Sequence, residues 1–258
     1  MPIAIINDTC IHYRTDGDRS LPCLVFSNSL GTDLSMWQAQ ADALAGRFHV
    51  LRYDTRGHGL SASPPGAYSI GQLGADVVGL LDHLDIEQAH FCGLSMGGVT
   101  GQWLGVHAPR RIGKLVVANT AARVGTPDGW QARAAAVRAQ GLGPIADSAA
   151  ARWFTPAFVR RQPAIADAMA SRLRGQNYEG YAACCDALAD ADLRGAIHAI
   201  AAPTLIIAGT ADPVTTVADA EAMRAAIPGA RVAALPASTL EMCEAPAAFT
   251  HALLAFLP

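Results

Sequence analysis

The sequence predicts an α/β fold: a mostly parallel sheet of eight strands with helices on both faces and an inserted helical lid. Three observations carry this. Short β-branched runs alternate with longer stretches of helical periodicity, the pattern of a sheet wound through crossover helices. One such run leads through Gly93-Leu94-Ser95-Met96-Gly97 into a helical segment. From about Ala121 to Ile200 there is no strand pattern, only Ala- and Arg-rich helical segments broken by Gly141, Gly143, Pro156 and Pro163.

The strands expected in order are Ala4–Ile6, Ile11–Arg14, Cys23–Ser27, Val50–Tyr53, Ala89–Cys92, Lys114–Ala118, Thr204–Ala208 and Val232–Leu235. Asn7-Asp8 is a turn-favouring pair, so the first two strands are read as an antiparallel hairpin. Val77, Val78, Leu80, Leu81 and Leu84 recur at helical spacing within Ile70–Leu84, giving that helix one apolar face. Gln102–His107, Thr216–Ala226 and Ala247–Phe256 follow the same logic. The chain therefore divides into a core, residues 1–120 plus 201–258, and a lid at 121–200.

Composition narrows the function. At 258 residues, 51% hydrophobic and 16% charged, the chain can bury a sizeable core and is not disordered. A formal charge of −3 lacks the basic excess that nucleic-acid binding requires. No apolar run approaches the roughly 20 residues of a spanning helix, and the N-terminal segment has no signal-peptide pattern, so a cytoplasmic protein is expected. The six cysteines (Cys10, Cys23, Cys92, Cys184, Cys185 and Cys243) contain no CxxC and read as reduced thiols. No HExxH or clustered acidic set suggests a metal, and the glycines around Ser95 lack dinucleotide-binding spacing.

The strand–GxSxG–helix segment carries the chemistry. A serine on a sharp strand-to-helix turn is exposed to substrate, with a helix N-terminus aimed at its oxygen. The small-residue loop Ser27-Asn28-Ser29-Leu30-Gly31-Thr32 follows the third strand, so the Leu30 and Met96 N–H groups are expected to form an oxyanion hole. Asp212 follows the penultimate strand, in the chain order Ser then Asp that this type of site uses, and is read as the acid.

With these residues in place the sequence resembles the α/β-hydrolase superfamily and, within it, the 3-oxoadipate enol-lactonases. The resemblance covers nearly the whole chain. It rests on Cys92-Gly93-Leu94-Ser95-Met96-Gly97-Gly98 (the strand-to-helix elbow that carries Ser95), on Asp54-Thr55-Arg56-Gly57-His58-Gly59, on Ser27–Thr32, on Arg152-Trp153-Phe154-Thr155 and on Gly180-Tyr181-Ala182-Ala183-Cys184-Cys185. It implies an α/β-hydrolase fold and cofactor-free hydrolysis of a small carboxylated enol-lactone or ester by a Ser-His-Asp triad. Trp130 and Arg133 belong to a segment that enol-lactonases share. Three residues apart, they lie on one helix face, where a guanidinium beside an aromatic suits a small planar acid.

One position departs from the family. The loop Leu235-Pro236-Ala237-Ser238-Thr239-Leu240-Glu241-Met242-Cys243-Glu244 has Thr239 where the resemblance implies the triad histidine. None of the eight histidines lies in this loop; His58 belongs to the Asp54–Gly59 segment and His251 to the closing helix. Three readings remain open. Glu241, Cys243 or Asp212 itself replaces the base; or the site serves a lyase or isomerase step; or the protein is a weakened enzyme or binding module.

Overall fold

The computed structural model describes residues 2–258. Its sheet has eight strands: β1 (Ile3–Ile6), β2 (Thr9–Asp16), β3 (Cys23–Ser27), β4 (His49–Tyr53), β5 (Ala89–Leu94), β6 (Ile112–Ala118), β7 (Thr204–Gly209) and β8 (Arg231–Leu235). They are ordered β1-β2-β4-β3-β5-β6-β7-β8. β1 and β4 both pair with β2 antiparallel, and every later pair is parallel. Each strand read from the sequence is present. The β1–β2 turn holds Asn7 (φ 47°) and Asp8 (φ 59°) in the left-handed region, the two-residue geometry that matches strand twist. β3, β4 and β7 are buried along their whole length, which explains why β3 and β7 read as nearly continuous apolar runs and not as alternating ones; in β4 the buried Arg52 pairs with Asp16.

The helices of the core are α1 (Gln38–Leu44), α2 (Ile70–His83) and α3 (Met96–His107). On α2, Ile70, Leu73, Val77, Leu80 and Leu81 are buried, while Val78 and Leu84 lie at the margin of that face. Ser69 caps its start by accepting from the Gln72 N–H. α3 starts at Met96, directly after the Ser95 turn as the strand–turn–helix reading expects, and its apolar periodicity shows only from Gln102 onward. Its first turns are rich in glycine, a poor helix former, and the helix exists there because it packs against β5 and β6.

Between β6 and β7 lie six helices: α4 (Pro127–Gln140), α5 (Gly143–Asp147), α6 (Ala149–Trp153), α7 (Pro156–Arg161), α8 (Pro163–Arg174) and α9 (Tyr178–Asp190). Thr126, Thr155 and Asn177 cap α4, α7 and α9. α4 packs along α9, and α9 rests on the core where Gly180 meets Gly57; a Cβ on Gly180 would lie 2.4 Å from the Gly57 Cα. The chain closes with α10 (Val217–Ala226), α11 (Glu241–Glu244) and α12 (Pro246–Phe256). Among the described residues no helix is long and apolar enough to cross a membrane.

The strand order reverses at β3, which pairs with β4 on one side and β5 on the other. Open α/β sheets form their ligand crevice at such a point, outside the carboxyl ends of the strands. The loops after β3, β5, β7 and β8 all open there, and they carry Leu30, Ser95, Asp212 and Thr239.

Candidate active site

Ser95 sits between the end of β5 and the start of α3 with φ 54° and ψ −113°. A non-glycine residue persists in that strained region only where its surroundings over-determine it. Here the Ser95 N–H donates to the Ala118 carbonyl (2.9 Å), and its own carbonyl accepts from Thr120 Oγ1 (2.9 Å). Two glycines make the turn sterically feasible. A Cβ on Gly93 would stand 2.1 Å from the Gly97 carbonyl oxygen, and one on Gly97 would stand 2.4 Å from that of Ser27. The serine is half-buried and faces a cavity of about 330 Å³.

Leu30 lines the same cavity, and Met96 is the first residue of α3. Among the described residues, neither the Leu30 nor the Met96 N–H meets an acceptor within the chain. Both donors are therefore free for a ligand. The neighbouring Gly31 N–H donates to His58 Nε2 (2.9 Å), which fixes the Leu30–Gly31 turn. His58 is fully buried, and burial pulls its pKa down to about 4. It is a neutral acceptor that orders the loop after β3 and does not line the serine cavity.

Asp212 is buried in the loop after β7. Its Oδ1 accepts from the Val214 N–H (2.8 Å) and from Thr239 Oγ1 (2.8 Å), and its Oδ2 accepts from Thr215 Oγ1 (2.7 Å). The carboxyl group thus addresses the β8 loop through Thr239, which lines the cavity with Ser95. The Arg152 carbonyl lies 3.0 Å from the same threonine oxygen, so two acceptors compete for one hydroxyl proton.

Several groups pin this loop. Asn119 has φ 39° and donates through Nδ2 to the Ser238 and Thr239 carbonyls (3.0 and 2.9 Å), while its Oδ1 accepts from the Gly209 N–H (2.6 Å). Glu244 accepts from the Ser238 and Thr155 N–H groups (3.2 and 3.1 Å) and from the Thr155 hydroxyl. The Leu240 N–H donates to the Trp153 carbonyl (3.0 Å). The loop is tied to Trp153 and Thr155 at the α6–α7 junction and to the ends of β6 and β7 at once. Sequence reading missed Asn119, whose one signal is a polar residue directly after a buried strand.

Neither proposed replacement base on α11 reaches the cavity. Glu241 is fully buried, and both its carboxyl oxygens lack a hydrogen-bond partner among the described residues. Burial, and next the negative charge of Asp212, push its pKa well above the usual carboxylate range, so the neutral acid is favoured. The Cys243 thiol packs on the Met36 carbonyl (3.7 Å), and burial pushes its pKa up to about 12.

The side of the cavity formed by α4 and α6 is cationic. Arg133 stacks on the Trp130 ring, its guanidinium carbon 4.8 Å from the centroid, and Trp130 Nε1 donates to the Val124 carbonyl (2.6 Å). Arg152, Trp153 and Tyr181 also face the cavity. Arg152 donates to the Ile145 carbonyl (3.0 Å) and leaves Nε buried without a partner. Burial lowers its pKa, opposed by Tyr181 and reinforced by the charge of Arg133. Among the described residues, neither Arg133 nor Arg152 has a carboxylate within salt-bridge distance, and no group of side chains is placed to hold a metal ion. Arg152 and Tyr181 fall in the segments Arg152–Thr155 and Gly180–Cys185, but sequence spacing alone does not show that they face the same cavity as Ser95.

Residues 22–238 match the family described as alpha/beta hydrolase fold. The chain is 51% identical over 250 residues to 3-oxoadipate enol-lactonase 2 of Acinetobacter baylyi, covering 97% of this chain and 94% of that relative. The solved enol-lactonase from Burkholderia xenovorans LB400 superposes with a TM-score of 0.97 at 46% identity, covering 99% of each chain. A thermophilic esterase from Thermogutta terrifontis, solved with malate bound, gives 0.91 at 27% identity over 96% of this chain and 93% of that one.

Proposed function

The chain belongs to the alpha/beta hydrolase fold family and, within it, to the enol-lactonases, and on that premise we propose that Ser95 hydrolyses a small carboxylated enol-lactone or ester. The observation that carries the reading is the strained Ser95, facing one cavity together with two guanidiniums that have no carboxylate partner. Half-buried cations without counter-ions are costly, and an anionic ligand relieves that cost. Arg133 and Arg152 accordingly hold the substrate carboxylate, Trp130 covers its apolar body, and residues 121–200 act as the lid. The malate in the Thermogutta terrifontis esterase is a small acid of the same kind.

In the reaction Ser95 Oγ adds to the lactone carbonyl, and the oxyanion is received by the Leu30 and Met96 N–H groups. The ring C–O bond breaks, the enolate leaves and is protonated to a ketone, and water cleaves the acyl-enzyme. One acyl–oxygen bond is exchanged for another, so the reaction needs no redox cofactor. An enolate leaves more readily than an alkoxide, which lowers the demand on the acid. The demand on the base remains. The ionisable groups lining the cavity are Arg133, Arg152 and Tyr181, and none of them accepts the serine proton readily. Asp212 and Thr239 orient the site, and Ser95, lacking a general base, turns over slowly, by orders of magnitude less than a complete triad would.

That missing base also favours a second reading, a non-hydrolytic enzyme or binding protein on the same scaffold. A fluorophosphonate separates the two. Stoichiometric labelling of Ser95, absent in Ser95→Ala and faster in Thr239→His, supports the hydrolase; no labelling of any of them overturns it.

A further inference from the structure

We propose that the end of the cavity between Ser95 and Thr239 is a binding site for a small neutral azole, which supplies the base that Ser95 lacks. The inference deepens the hydrolase reading and rests on Ser95 being the nucleophile.

The geometry asks for this class of ligand. Ser95 is held in a strained turn, with no proton acceptor beside it in the cavity. Thr239 lines the same cavity, and its single hydroxyl proton has two acceptors in reach, Asp212 Oδ1 at 2.8 Å and the Arg152 carbonyl at 3.0 Å. With that proton on Asp212, a lone pair of Oγ1 is open to a donor from the cavity. An occupant that bridges the two residues needs an N–H directed at Thr239 and a lone pair directed at Ser95 Oγ. A five-membered ring with two separated nitrogens, such as imidazole, has both. Its free pKa near 7 suits proton transfer at neutral pH. Primary amines are cationic there, and Arg133 and Arg152 already make the cavity positive.

The bound ring turns over without being consumed. Its open nitrogen takes the Ser95 proton as Oγ bonds to the acyl carbon. The resulting azolium is stabilised by Asp212 through the Thr239 hydroxyl. It returns the proton to the departing oxygen as the ester C–O bond breaks. In the second half the same nitrogen takes a proton from water as its oxygen bonds to the acyl carbon. It then gives that proton to Ser95 Oγ as the acyl-enzyme bond breaks.

The test uses the full chain, p-nitrophenyl acetate and imidazole titrated at constant pH and ionic strength. Imidazole should raise the wild-type rate with saturation, while Ser95→Ala should show only the linear dependence of imidazole in solution. N-Methylimidazole, which lacks the N–H, should fail to saturate. Thr239→Val should raise the half-saturating imidazole concentration about tenfold, the loss of one hydrogen bond in a charged chain. A linear response equal in wild type and Ser95→Ala overturns the site. Fluorophosphonate labelling run alongside separates the two failures. If Ser95 is labelled while imidazole does not saturate, the azole site falls and the nucleophile stands. If Ser95 is not labelled with or without imidazole, both fall.

Discussion

Glu241 is the residue whose environment makes the sharpest stability prediction. It is fully buried, both carboxyl oxygens lack partners among the described residues, and Asp212 adds a like charge nearby. All of this raises its pKa in the folded protein above that of the unfolded chain. Between those two values the native state holds a proton that the unfolded state has released, so stability falls as pH rises. The slope is about 1.4 kcal/mol per pH unit, starting above the ordinary carboxylate range and ending at the folded-state pKa. Glu241→Gln removes this titration while leaving the other groups in place. The difference in unfolding free energy between the two proteins should therefore grow in favour of the variant with that slope as pH is raised. Glu241→Met removes the orphaned carboxyl as well, and should stabilise the fold by about 1–3 kcal/mol near neutral pH. For a domain of this size that raises Tm by about 2–4 °C per kcal/mol. Urea denaturation of the three proteins from pH 5 to 9 measures both effects. Wild-type and Glu241→Gln curves that stay parallel across this range would refute the burial argument. So would a destabilised Glu241→Met, because it would mean the carboxyl has a stabilising partner.

Other outcomes follow from the site. Glu241 does not line the cavity, so Glu241→Gln should keep the wild-type esterase rate; a large loss would restore it as the base. Asn119→Ala deletes three buried hydrogen bonds that hold the Thr239 loop, and should cost at least about 1–3 kcal/mol in thermal or urea unfolding, together with activity. Arg133→Ala and Arg152→Gln should each raise KM for carboxylated esters while sparing neutral ones; equal losses on both classes would contradict the carboxylate subsite. Gly93→Ala places a methyl 2.1 Å from the Gly97 carbonyl oxygen, and should abolish Ser95 labelling even where circular dichroism shows a folded chain.

Much of the fold was legible because its strands are short β-branched runs buried on both faces, as in β3 and β7. The elbow was legible because few other sequences place a serine between two glycines at a strand-to-helix turn. The start of α3 was legible from the turn and not from periodicity, since its glycine-rich first turns have low helix propensity and owe their conformation to packing on the sheet. The remaining gaps all concern where a loop or lid side chain points. Glu241 sits two residues from Thr239 yet turns into the interior, a direction set by how α11 is pinned through Leu240, Glu244 and Asn119. Arg152 stands in a recognisable motif, but its approach to Ser95 depends on how α6 docks against the β8 loop. His58 is conspicuous in sequence, and only the Gly31 N–H on its Nε2 reveals that it holds the loop after β3.

The central claim is that Ser95 opens a carboxylated enol-lactone on a scaffold in which Thr239 stands where a base is needed. The most direct measurement is the hydrolysis rate of 3-oxoadipate enol-lactone by the unmodified protein, Ser95→Ala and Thr239→His under identical conditions. The expected result is slow turnover by the unmodified protein, none above background by Ser95→Ala, and a rate higher by orders of magnitude in Thr239→His. Turnover by Ser95→Ala equal to that of the unmodified protein, or no turnover by any of the three, would contradict it.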